Sequence, residues 1–218
     1  MRARWATVLG AALSLLSITA FASCRANFRM PAFDVAMRDT PVNYRFDLAS
    51  AAIAPIADEN GMSGLKGKVP FGLTIGLYDL EVTVESESMR DGPGYCTELR
   101  AAHVEIGLKQ LEVIVDRRFA PGSCERQAVL DHEAEHVEVF RETLRSYHPA
   151  LERALGHIAL PLAIPVADRN AARAAYLDPI TDALKPLFTA LNSHARAANA
   201  RLDTPASYAE VFNRCHRW

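Results

Sequence analysis

The sequence predicts an α+β fold, a small antiparallel sheet followed by helices, and three observations predict it. Leu80, Val82 and Val84 alternate with Glu81, Thr83 and Glu85 at period two, the signature of a half-buried strand. Two more strand-like runs follow, "AAHVEIGL" with Val104, Ile106 and Leu108 on one face, and "LEVIVDRRF" from Leu111 to Phe119. Beyond Ser123 the pattern turns helical, and strands grouped ahead of helices define the α+β class.

The first residues read as an export signal. "MRAR" is positive, "WATVLGAALSLLSITAF" is apolar but broken by Ser14, Ser17 and Thr19, and Ala20-Phe21-Ala22 places small residues where a signal peptidase reads. Residues 1–22 are therefore expected to be removed, leaving 23–218 as one soluble domain with a helical extension from about residue 170. The product would be exported, periplasmic or secreted, with no membrane span. "FASC" also approximates the box of a bacterial lipoprotein, so a lipid anchor at Cys24 is the alternative, with Phe21 standing where leucine is usual.

Cys24, Cys96, Cys124 and Cys215 make an even set, which in an oxidising compartment suggests two disulfides. Four cysteines allow three pairings that sequence cannot choose between. Cys96 with Cys124 and Cys24 with Cys215 is the preferred set. It would tie the loop ahead of the strand pair to the following helix, and fasten the two termini together.

Residues 25–65 are mixed, with Pro31, Pro41 and Pro55, and Asp58 to Lys68 reads as loop. "VPFGLTIGLYDLEVTVESES" should be extended, "MRDGPGYC" a turn, and the next two strands a hairpin joined by Lys109 and Gln110. Ser123 is a plausible N-cap for a helix from about Cys124 to Tyr147, ending before Pro149 because the residue preceding a proline avoids helical dihedrals. A further helix is expected over "PALERALGHIAL". A long alanine-rich stretch should be kinked or broken at Pro179 and Pro186, and Thr204 with Pro205 should start a last short helix.

With 218 residues, 50% hydrophobic, 23% charged and net charge −2, the chain belongs among ordinary globular proteins. Its basic residues are dispersed, which gives no electrostatic footprint for nucleic acid. A monomer is the default expectation.

Inside the expected helix lies "AVLDHEAEHVEVFRETL", where His132 and His136 bracket Glu133. At about 3.6 residues per turn the two imidazoles fall within about 40° of each other, with Glu133 about 100° round. Two neutral imidazoles can hold Zn²⁺ while a neighbouring carboxylate takes the proton of a metal-activated water. The competing reading is a solvated face, since Asp131, Glu133, Glu135, Glu138 and Glu142 mix with Arg126, Arg141 and Arg145.

His132-Glu133-Ala134-Glu135-His136 resembles the HExxH motif of the zinc metallopeptidases, the zincins. The wider pattern, two cysteines bracketing strands ahead of this helix, is similar to uncharacterised secreted bacterial proteins proposed to be zinc-dependent proteases. The resemblance implies a zincin-like domain, a zinc cofactor, His132 and His136 as ligands, Glu133 as general base and a peptide or protein substrate.

The third ligand stays open. Glu142 occupies the metzincin position, but Val139 replaces the required glycine, and on an unbroken helix Glu142 would lie about 9 Å beyond His136. In the gluzincin pattern a glutamate comes from a later helix, which ranks Glu152 first, then His194, then Asp178; Asp182 is also of a ligating type.

Other residues carry weaker expectations. His103 and Glu105 share a strand face, His148 and His157 read as capping or half-buried histidines, and Tyr147, Tyr176 and Tyr208 read chiefly as packing. The function expected is zinc-dependent hydrolysis of peptide bonds. The alternative is a non-catalytic envelope binding module with a structural metal or none.

Overall fold

A computed structural model describes residue 24, residues 29–60 and residues 70–218. The expected signal, residues 1–22, lies outside these, as does most of the expected loop up to Lys68. In chain order the elements are β1 (Ala32–Arg38), β2 (Asn43–Arg45), α1 (Ser50–Glu59), β3 (Gly72–Asp91), β4 (Gly94–Val115), α2 (Cys124–His157), β5 (Ala163–Val166), α3 (Arg169–Leu202) and α4 (Pro205–Asn213). Among the described residues the architecture is mixed α and β, with a five-stranded sheet and four helices.

The sheet is built around β4. Every residue from Leu111 to Val115 is buried, Glu112 included, as expected of a largely apolar central strand covered on both faces. β3 pairs with it antiparallel along the full length, from Gly72↔Val115 to Asp91↔Gly94. The hairpin turns on Gly92, whose φ of 59° suits a primed turn, and on Pro93, whose fixed negative φ selects the II′ type.

Because β3 occupies one edge of β4, the other edge takes β5, β1 and β2 in succession. β1 and β2 run parallel to β4, and β5 antiparallel. The purely antiparallel sheet expected from sequence is thus corrected to a mixed one. The supposed hairpin at Lys109 and Gln110 is also corrected, since both residues lie within the single strand β4. Period-two patterning marks a strand but carries no record of its partner.

At the Gly72–Gly76 end the sheet is covered on both sides. Leu73, Ile75 and Ile114 pack on Ile53 and Ala57 of α1. The opposite face presents Gly72, Thr74 and Gly76, alternate residues that form a low track for α2. A Cβ on Gly76 would meet the Phe140 ring at 2.6 Å, so glycine lets the helix lie close.

α2 begins at the expected cap, with the Ser123 hydroxyl accepting from the Arg126 backbone N–H at 3.1 Å. It then runs through Pro149 to His157 as one helix, where two were expected. α3 likewise passes through Pro179 and Pro186. An interior proline costs about 3 kcal/mol, and burial offsets it. Leu151 and Leu155 follow Pro149 into the core, and Ile180, Leu184 and Leu191 do so along α3. The stretch expected as a helical extension therefore contributes to the main core.

Thr204 caps α4 as expected, accepting from the Ser207 N–H at 3.1 Å, and Ser207 completes a capping box. Two disulfides are present, Cys24–Cys96 and Cys124–Cys215. All four cysteines pair, but not in the preferred way. Cys96 opens β4 while Cys124 follows its end, with roughly 60 Å of extended strand between, whereas bonded cysteines need Cα atoms within about 7 Å.

Candidate metal centre

α2 buries a stripe that includes Val129, His132, Glu133, His136, Val137 and Phe140. The acidic residues Asp131, Glu135, Glu138 and Glu142 are not part of it, so the solvated face and the histidine face are different sides of one helix. His132, Glu133 and His136 are 6%, 5% and 7% exposed, too buried to belong to the solvated face. Buried polar groups require partners, and the partners come from β3 and from the end of α3.

On the sheet side, the Thr74 hydroxyl donates to Glu133 Oε2 at 2.7 Å. The same carboxylate presses against Gly72. On the helix side, Asp203 follows the last residue of α3 and points its Oδ1 between the two imidazoles. That oxygen lies 3.2 Å from His136 Nε2 and 3.5 Å from His132 Nε2. The Tyr208 hydroxyl, one turn into α4, donates to the same Oδ1 at 2.8 Å. Asn199, one turn back on α3, places its Oδ1 2.8 Å from His136 Nδ1.

The electrostatics follow from this packing. Burial pushes the Glu133 carboxyl upward, and the opposing pull of His136, the Thr74 hydroxyl and His132 does not cancel it. For His136, burial alone would lower the pKa, but the Asp203 and Glu133 carboxylates and the Asn199 oxygen outweigh it and raise it to about 9. Asp203 shows the complement. Burial would raise it, yet hydrogen bonds from His132 and His136 hold it well below the usual carboxylate range. Burial, then the neighbouring Asp203, pushes the Tyr208 phenol upward.

His132, His136 and Asp203 form a group that could hold a metal ion, with one ligand atom of each within 4.8 Å of the others. The fit can be tested on distances. Tetrahedral bonds of about 2.0–2.2 Å imply ligand-to-ligand edges of about 3.3–3.6 Å, and the two histidine–Asp203 separations, 3.2 and 3.5 Å, match such edges closely. Two imidazoles and a carboxylate suit a borderline divalent cation such as zinc.

The candidates for third ligand expected from sequence lie elsewhere. Glu152, on the same continuous helix, is about 24 Å along the axis from His136 and pairs with His148 at 3.8 Å. His194 packs on Tyr147, with ring centroids 5.9 Å apart, and Asp178 is exposed on α3. The histidine pair gathers none of the three. His103 pairs with Asp34 and Glu85, and Glu105 with Arg38, on the sheet face opposite Val104 and Ile106. His157 bonds the Arg153 carbonyl, His148 the Val35 carbonyl, and the Tyr176 hydroxyl donates to Thr97 in the core.

Sequence reading missed Asp203, Asn199, Thr74 and Gly72. A signal for the first two existed: Asn199 and Asp203 stand four apart at the end of a helix, the same spacing as His132 and His136, so both pairs present one face each.

Comparison with family models, with curated proteins and with solved structures found no match. Among the described residues no helix is long and apolar enough to cross a membrane.

Proposed function

We propose that this chain is an exported zinc-dependent hydrolase acting on peptide bonds, with His132, His136 and Asp203 as ligands and Glu133 as the proton acceptor. The carrying observation is the convergence of both Nε2 atoms on Asp203 Oδ1 beside a buried carboxylate. Zinc in such a site supplies a Lewis acid and a water acidified toward neutral pH. Glu133 has the matching property, because burial raises its proton affinity and lets it take a proton and return it. Thr74 fixes one carboxylate oxygen, and Gly72 leaves space for the other. The two disulfides and the N-terminal sequence favour an oxidising compartment.

One observation favours a second reading. Both histidines are deeply buried, and Tyr208 closes on Asp203, which suits a closed structural metal site in a binding module. The experiment that separates the two is zinc analysis of wild type and Glu133→Gln, with both proteins incubated with a mixed peptide library. The enzyme reading expects one zinc per chain in both and cleavage by wild type alone. Zinc in both with cleavage by neither supports the structural metal. Equal cleavage by both removes Glu133 from the reaction.

A further inference from the structure

Which nitrogen a histidine presents to a metal is set by what its other nitrogen bonds. For His136 that partner is the side-chain amide of Asn199, half-buried in the last turn of α3, just ahead of Asp203. We infer that Asn199 is a positioning residue that fixes His136 with its Nε2 lone pair toward the ion, an inference that rests on the metal reading above.

The amide cannot turn over freely. Asn199 Nδ2 donates to the Ala195 carbonyl at 2.9 Å, and that carbonyl belongs to the helix backbone. An amide flip would set Asn199 Oδ1 against this carbonyl, acceptor against acceptor. With Nδ2 held there, Oδ1 is the atom left to face His136, at 2.8 Å from Nδ1. An amide oxygen only accepts, so Nδ1 must carry the hydrogen. In the neutral ring the lone pair then lies on Nε2, the atom 3.2 Å from Asp203 Oδ1.

A polarity set by one backbone carbonyl is thus relayed through two side chains to the ligand atom. The flipped arrangement would put the hydrogen on Nε2 and leave nothing to donate to a metal. Asn199 and Asp203 are also one helical turn apart, so α3 grips His136 at both ring nitrogens and restrains its rotation as well as its tautomer.

The test is zinc affinity, measured by competition with a chromophoric chelator, for wild type, Asn199→Ala and Asn199→Asp. Long-range ¹H–¹⁵N spectra of the zinc-loaded proteins report the coordinating nitrogen. Alanine is the best helix former, so α3 should persist, and thermal unfolding of the zinc-free proteins checks that it does. Asn199→Ala should weaken zinc binding about ten- to a hundredfold. Asn199→Asp, which keeps an acceptor for Nδ1 but sets its second oxygen against the Ala195 carbonyl, should bind zinc more tightly than Asn199→Ala. His136 should coordinate through Nε2 in wild type.

Coordination through Nδ1, or unchanged affinity in Asn199→Ala while His136→Ala loses zinc, overturns this inference and leaves the metal site standing. A wild-type protein that takes up no zinc overturns the metal reading, and this inference with it.

Discussion

The carboxylate of Glu133 rests against the backbone of Gly72, so closely that a Cβ there would lie 2.3 Å from Oε1 and 2.7 Å from Val129 Cγ1. Sheet and helix meet at this point without an intervening side chain, which is why β3 opens on a glycine. Gly72→Ala should cost about 1–3 kcal/mol by overpacking and should displace Glu133. Combining it with Glu133→Ala removes much of the collision, so the double variant should lose less than the sum of the singles by about 0.5 kcal/mol or more. Strictly additive losses in urea unfolding would mean that the contact does not govern where Glu133 sits.

Asp203 and Glu152 are rival carboxylates, and only one is near the histidines. Asp203→Asn removes the charge that stands between the two Nε2 atoms and should weaken zinc binding by at least about a hundredfold, beyond what loss of an outer partner costs. Glu152→Gln breaks a half-exposed pair with His148 and should leave zinc affinity unchanged. Chelator competition on both variants decides the assignment, and the reverse pattern would return the third ligand to α2.

Local signals in the sequence were legible and long-range ones were not. Ser123 and Thr204 were readable as caps because capping is decided within four residues, and the "DGPG" turn because only glycine takes a positive φ easily. His132 and His136 were readable because a helix fixes their relation. Asp203 was hidden because its closeness depends on α3 staying helical through Pro179 and Pro186, where local propensity argues for a break. The same error at Pro149 made Glu152 look like a residue of a separate, returning helix. In each case the apolar residues after the proline, Leu151 and Leu155 or Ile180 and Leu184, find the core and decide the outcome.

α1 lacks a cap of its own, since Ala49 at the N-cap has no side-chain acceptor, and Asp116 at the end of β4 supplies one. Its Oδ2 accepts from the Ser50 backbone N–H at 2.9 Å and bonds the Ser50 hydroxyl, while Arg118 holds it from the other side. Burial alone would raise the Asp116 pKa, but these bonds together hold it below the ordinary 3.8. A carboxyl depressed on folding binds its proton more readily when unfolded, so its stabilisation is complete above about pH 4 and disappears as pH falls through the folded value. Asp116→Ala should cost about 1–2 kcal/mol at pH 7. In urea titrations the gap between wild type and variant should narrow at pH 3, and a gap that widens there would have the wrong sign for this account.

The Cys124–Cys215 bond ties the first residue of α2 to the chain just beyond α4, whose own core contribution is Val211 packed on Ala128 and Cys215. Cys24–Cys96 ties the segment ahead of β1 to the start of β4. The loops they close span 72 and 91 residues, for which chain entropy gives about 4–5 kcal/mol each. The second bond should matter to the candidate metal centre as well as to stability, because Tyr208, which donates to Asp203, rides on α4. Replacing Cys124 and Cys215 by serine should therefore lower both the unfolding midpoint and zinc affinity. Replacing Cys24 and Cys96 should lower the midpoint and leave zinc affinity near wild type. Peptide mapping without reduction should recover the two cross-linked pairs, and a Cys96–Cys124 peptide from folded protein would contradict the sheet itself, whose longest strand holds those cysteines apart.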